Sequence, residues 1–276
     1  MKRTFKRTAI AAALIAATQA ATAAPLFDED VTPDVIFGSG NANGSFTVDR
    51  TTGLGPRVEL GLRGKLRHNA AGNPENTFNS NGDGTYSFNP GVAPGESFPT
   101  AEWSFEWSIN TAWESFDDAV DDESLTSSSE DELQDSSDWN LDSLTYQLEL
   151  PDGTSFDPIN VPLADHAIGD NSTGNGGGTE ASNDAEYATL IASNNVAQNS
   201  WKPHWFVSGF DPTAEGTYSF ALAAFDGDTQ LARTSMDILV GDGGAGDPSP
   251  VPLPGTLLLL GLGFGGLGIA RRKKHA

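Results

Sequence analysis

The chain has 276 residues, and 38 acidic residues outweigh 15 basic ones for a net charge of −23. It has no cysteine, which excludes disulfides, thiol nucleophiles, Fe–S clusters and cysteine-ligated zinc. Eight basic residues stand in the first seven and last six positions, so residues 24–250 hold seven against all 38 acids, a difference of −31. Such a body attracts divalent cations and repels phosphate backbones, which disfavours nucleic acid as a partner.

The chain opens with Lys2, Arg3, Lys6 and Arg7, a short apolar stretch over 9–17, and small residues at Ala21 and Ala23. This is the pattern of a secretory signal peptide over 1–23, cut by a signal peptidase between Ala23 and Ala24; Pro25 disfavours a cut one residue later. Export without disulfides then requires a real core, and six Trp, fifteen Phe and four Tyr can supply one.

The body, 24–113 and 139–241, reads as strands. In 103–109, Trp103, Phe105, Trp107 and Ile109 share one face, and Ser104, Glu106 and Ser108 share the other, with Asn110 following. Period two over this length predicts a strand with one buried face. Similar patterns cover 44–50, 58–69, 143–153 and 216–241, separated by turn signals at Asn43-Gly44, Asn81-Gly82-Asp83-Gly84, Pro151-Asp152-Gly153 and Asp226-Gly227-Asp228. A helix is predicted over 182–197, capped by Ser182 or Asn183 with Glu186 following. Residues 114–138 hold eleven acids and no base, an acidic loop insertion; 165–183 are Gly/Asn/Ser-rich and predict a loop. The expected fold class is therefore mostly β, an antiparallel β-sandwich with long acidic loops. Gly-Thr-Tyr-Ser-Phe occurs twice, at 84–88 and 216–220, and predicts two similar strand starts rather than a repeat. The stretch 211–241 resembles the last hairpin of an immunoglobulin-like or fibronectin-like sandwich, with Tyr218 where a tyrosine corner is expected. A jelly roll fits the same pattern.

A linker, 242–250, leads to the tail, 251–276. Residues 255–270 carry no charge, and 16 residues of helix cover about 24 Å. Arg271, Arg272, Lys273 and Lys274 would hold the end of that transmembrane helix in the cytoplasm. Val251, Pro252, Leu253, Pro254 and Gly255, then the Leu/Gly run, then Arg271 and Arg272, resemble the PEP-CTERM sorting signal of Gram-negative bacteria. Leu253 stands where that family's name has Glu. The resemblance implies recognition by an exosortase in the inner membrane, release near the motif, and delivery to the cell surface or an exopolysaccharide-associated extracellular matrix, as in biofilms. Pro252 and Pro254 would keep the motif out of the helix and open to the protease. A plain single-pass anchor is the simpler alternative.

Chemistry within the body is sparse. Asn79, Asn81 and Asp83 place side-chain oxygens at alternate positions, as hard cations require, but Pro90 stands where an EF-hand needs its bidentate Glu. Ca²⁺ is the one cofactor the sequence suggests, here or gathered loosely by Asp117, Asp118, Asp121, Asp122 and Glu123. Trp201 and Trp205 flank Lys202 and His204 in a dense aromatic segment that could stack on sugar rings, a platform for a carbohydrate-binding adhesion module. Trp103, Phe105 and Trp107 read as core. No Gly-x-Ser-x-Gly elbow, His-Glu-x-x-His or phosphate loop occurs, and His68, His166 and His204 lack ligand spacing, so the expectation is a non-enzymatic protein.

Overall fold

A computed structural model describes residues 24–51, 56–113, 139–161 and 165–241. The segments 1–23, 114–138 and 242–276, which hold the expected signal peptide, acidic insertion and sorting tail, lie outside them. Eleven strands form two sheets: β1 (Leu26–Glu29), β2 (Phe46–Arg50), β3 (Glu59–Leu66), β4 (Thr85–Phe88), β5 (Trp103–Asn110), β6 (Thr145–Glu149), β7 (Ser155–Phe156), β8 (Ala167–Gly169), β9 (Val196–Trp201), β10 (Gly216–Asp226) and β11 (Thr229–Val240). The first sheet runs β1-β2-β3-β5-β9-β8 and the second β4-β11-β10-β6-β7. All pairs are antiparallel except β4 with β11. The expected wholly antiparallel sandwich is corrected there: β4 reaches the free edge of β11 from a distant part of the chain, so no hairpin fixes their relative direction.

The two sheets meet through the apolar faces that alternation predicts. Leu60 and Leu62 from β3, and Trp103, Phe105, Trp107 and Ile109 from β5, pack on Phe220, Leu222, Met236 and Ile238. Phe105 stacks on Phe220 at 4.5 Å between centroids, and Phe88 on Trp103 at 6.1 Å. Each such side chain contributes roughly 1.5–3 kcal/mol of burial. The 16-residue helix expected over 182–197 is shorter. It becomes α1 (Asp184–Ile191), with the Asn183 side chain accepting from the Glu186 N–H at 3.0 Å. It ends at Ile191 with Ala192 as C-cap, and Val196 and Ala197 already belong to β9, whose pairing with β5 outweighs local helical pattern. The loop expected over 165–183 contains the edge strand β8.

The two Gly-Thr-Tyr-Ser-Phe stretches both open strands flanking β11, but their tyrosines differ. Tyr86 is buried and donates to the Ser45 carbonyl at 2.7 Å. Tyr218 donates back to the Ala214 carbonyl at 3.2 Å, the hydrogen bond of a tyrosine corner.

One expectation about β5 fails. Ser104, Glu106, Ser108 and Asn110 are as buried as the apolar residues between them. A strap, residues 30–45, crosses this outer face. Its backbone meets the sheet's polar side chains: the Thr32 N–H donates to Glu59 Oε1 at 2.7 Å, and the Ile36 N–H to Gln198 Oε1 at 2.8 Å. Gln198 Nε2 returns a bond to the Asp34 carbonyl at 2.8 Å, and Asn110 Nδ2 one to the Thr32 carbonyl at 2.9 Å. Small apolar clusters flank the polar centre: Val31, Val35, Phe46 and Val48, and Ile36, Ala167 and Val196. Gly178 lets the following loop lie against the strap, since a Cβ there would sit 2.7 Å from the Ile36 carbonyl oxygen.

Candidate functional site

Two groups of side chains stand out among the described residues: a surface cluster near Trp205, and the charged layer under the strap. The first grows from a sharp turn. Lys202 precedes Pro203, whose fixed φ starts a single 3₁₀ turn over Pro203–Trp205. This turn splits the aromatic segment. Trp201, still in β9, points inward and is 1% exposed, 4.4 Å from the Phe206 ring, 5.3 Å from Trp107 and 6.0 Å from Phe105. The expected pairing of Trp201 with Trp205 as a sugar platform is therefore corrected: Trp201 is a core residue, because β9 alternation turns it toward the second sheet. Trp205 is 53% exposed, with Lys202 Nζ 6.0 Å from its ring centroid.

Lys202 also ties this turn to the loop before β5, through Glu96 Oε1 at 3.8 Å. His68 Nδ1 lies 3.7 Å from the same oxygen. Two residues beyond Glu96, Phe98 is 61% exposed. Burial lowers the pKa of both His68 and His204, with the Lys202 charge adding to it, so both imidazoles are neutral at pH 7. His68 Nε2 and His204 Nδ1 are buried without a hydrogen-bond partner. An exposed indole with a nearby ammonium and carboxylate can stack on a flat apolar ring and hydrogen-bond its hydroxyls. Phe98 and Glu96 went unnoticed in the sequence because the loop carrying them has no periodicity.

The calcium candidate takes a different form. Asn79 Nδ2 donates to the Ser87 carbonyl at 2.8 Å, and Asn81 Nδ2 to Thr85 Oγ1 at 2.8 Å. Asp83 Oδ1 accepts from the Thr85 N–H at 3.1 Å. With Ser80 bridged to Tyr86, the segment is a hairpin turn closed by its own side chains. No group of three His, Asp or Glu residues that could hold a metal ion occurs among the described residues. Asp117, Asp118, Asp121, Asp122 and Glu123 lie outside them.

His166 is a core residue. Its Nε2 donates to the Pro158 carbonyl at 2.9 Å, and Asn199 Nδ2 donates to Nδ1 at 3.1 Å, which fixes the tautomer. The ring lies 5.2 Å from that of Trp107. Burial pushes its pKa down to about 4.

The charged layer is the densest arrangement. Arg63 and Lys65 on β3 and Glu106 on β5 lie within hydrogen-bonding or ion-pair reach, each at most 3% exposed. Arg63 Nε donates to Glu106 Oε2 at 2.6 Å, and its Nη1 to the Gly44 carbonyl at 2.6 Å. Its guanidinium lies 4.1 Å and 3.9 Å from the Phe46 and Phe78 ring centroids. Lys65 Nζ donates to Asn41 Oδ1 on the strap. The sequence signal was the alternation Arg63, Lys65, Arg67, which places the first two on one face of β3.

Residues 250–274 match the PEP-CTERM protein-sorting motif. The motif implies an exosortase as processing partner, and export through a membrane-anchored intermediate on the way to the cell surface. The matched segment includes the expected sorting residues Val251 to Gly255, Arg271 and Arg272. No curated protein and no solved structure matches the chain.

Proposed function

We propose that this chain is a non-enzymatic surface or extracellular-matrix protein of a Gram-negative bacterium, exported through a signal peptide over 1–23 and released from the inner membrane by an exosortase acting near Val251–Gly255. The observation that carries this reading is the sorting motif over 250–274, placed directly behind a β-rich body. In the proposed intermediate, residues 255–270 span the membrane, Arg271 to Lys274 stay inside, and the body is outside. The Leu253 variant of the motif selects which exosortase acts.

The strand orders support reading the body as immunoglobulin-like. Strands β3-β5-β9-β8 correspond to A-B-E-D and β11-β10-β6 to G-F-C, with Tyr218 at the start of the F position. Strands β1 and β2 extend the first sheet beyond that plan. The sorting proposal is tested in the native host by deleting the exosortase gene. The full-length protein should then accumulate in the membrane fraction, with its C-terminus intact. An unchanged size and location would overturn it.

A second reading rests on Trp205. The exposed indole, with Lys202 and Glu96 beside it, supports adhesion to the exopolysaccharide of the matrix. Retardation of the protein in gels containing the host polysaccharide should be lost in Trp205→Ala; equal retardation of both would dismiss that site.

A further inference from the structure

An exported chain without cysteine has no disulfide to fasten its N-terminal strap. The layer under that strap holds the groups for another kind of fastening. Lys65 leaves β3 on the outer face, and its Nζ contacts the carbonyl end of the Asn41 side chain. Glu106 lies behind the amine, wholly buried: its Oε1 is 3.7 Å from Nζ and has no hydrogen-bond partner, while Arg63 anchors Oε2 at 2.6 Å. Asn41 Nδ2 donates to the Phe37 carbonyl at 2.7 Å. Gly38 adjoins it, where a Cβ would come within 2.8 Å of that nitrogen. Burial, aided by the Arg63 and Arg67 charges, lowers the pKa of Lys65 against the pull of Glu106, which favours the neutral, nucleophilic amine. A nucleophile, an electrophilic carbonyl and a carboxylate thus meet, with Lys65 and Glu106 buried and Asn41 half-buried at the rim.

We propose that Lys65 and Asn41 join in an intramolecular amide bond, with Glu106 as the proton carrier, so that the strap is covalently tied to β3. The lone pair of the neutral Lys65 amine attacks Asn41 Cγ, forming the Nζ–Cγ bond. Glu106 takes the proton released from Nζ and delivers it to Asn41 Nδ2 as the Cγ–Nδ2 bond breaks. Ammonia leaves past the Phe37 carbonyl, and Glu106 returns to its starting state. An amine and a primary amide become a secondary amide and ammonia; nothing is oxidised or reduced. The tie would close the chain from 41 to 65 around the β2–β3 hairpin.

The test is mass spectrometry of the full chain purified from its host and denatured. Loss of one ammonia, about 17 Da below the mass its termini predict, is expected. Trypsin should yield a branched peptide joining the fragment that ends at Arg50 to Gly64–Arg67, because an amidated Lys65 resists cleavage. K65R, N41A and E106Q should each restore the full mass and linear peptides, with circular dichroism reporting the fold of each. Succinimide formation at an Asn-Gly step also loses ammonia, but gives no branch and persists in K65R. Folded wild-type protein at full mass with only linear peptides would overturn the proposal, whatever the variants do. A deficit that survives K65R would overturn it too.

Discussion

The first sheet is buried on both faces, by opposite means. Its inner face is aromatic and aliphatic and packs against the second sheet. Its outer face is charged and amidic, and a strap covers it with backbone donors and acceptors. The inner face is held by area removed from water, which is non-directional and tolerates similar shapes. The outer face is held by bonds that must each be completed, since an unpaired buried group there costs more than its bond contributes. The outer face therefore specifies one strap position, whereas the inner face supplies most of the stability.

Substitutions that separate these two regimes should rank accordingly. Trp107→Ala, on the inner face, should lower unfolding stability by about 4 kcal/mol in urea titration. Arg63→Met, on the outer face, strands Glu106 without its 2.6 Å partner and should cost about 3 kcal/mol. If it proved neutral, the outer face would not be the dry, paired layer described. Gln198→Leu removes both strap bonds of one side chain and should cost about 2 kcal/mol, with faster amide exchange at Ile36 than at β5 amides. His166 sharpens the contrast through pH. Its folded pKa of about 4 lies below the 6.5 of an unperturbed histidine, so the unfolded chain binds the extra proton first. Its contribution to stability is intact above pH 6.5 and is lost as pH falls toward 4. His166→Gln should lose less stability than wild type across that window, by roughly 3 kcal/mol. Trp205→Ala touches neither face and should change unfolding stability least, within about 0.5 kcal/mol.

The inner face was legible in the sequence, and the outer one was misread for a physical reason. Trp103, Phe105, Trp107 and Ile109 announce a buried face through period two alone. The same alternation marks Ser104, Glu106 and Ser108 as solvent-facing, because polarity normally means exposure. What buries them is a strap distant in sequence, with no periodicity of its own. The split between Trp201 and Trp205 was hidden likewise: both are tryptophans beside Lys202-Pro203, but the β9 register turns Trp201 inward and the 3₁₀ turn at Pro203 carries Trp205 outward. Asn183 and Glu186 announced the start of α1, but its end at Ile191 depends on β9 pairing with β5. The sorting motif was readable because its information lies in residue order alone, over 250–274.

The motif over 250–274 implies processing of the tail by an exosortase on the way to the cell surface. The most direct test of that processing is the intact mass and location of the protein from its native host. A surface or medium form that starts at Ala24 and ends near Val251–Gly255, without Arg271 to Lys274, is the expected result. A protein that keeps its C-terminus and stays in the inner membrane would contradict it and leave a plain single-pass anchor.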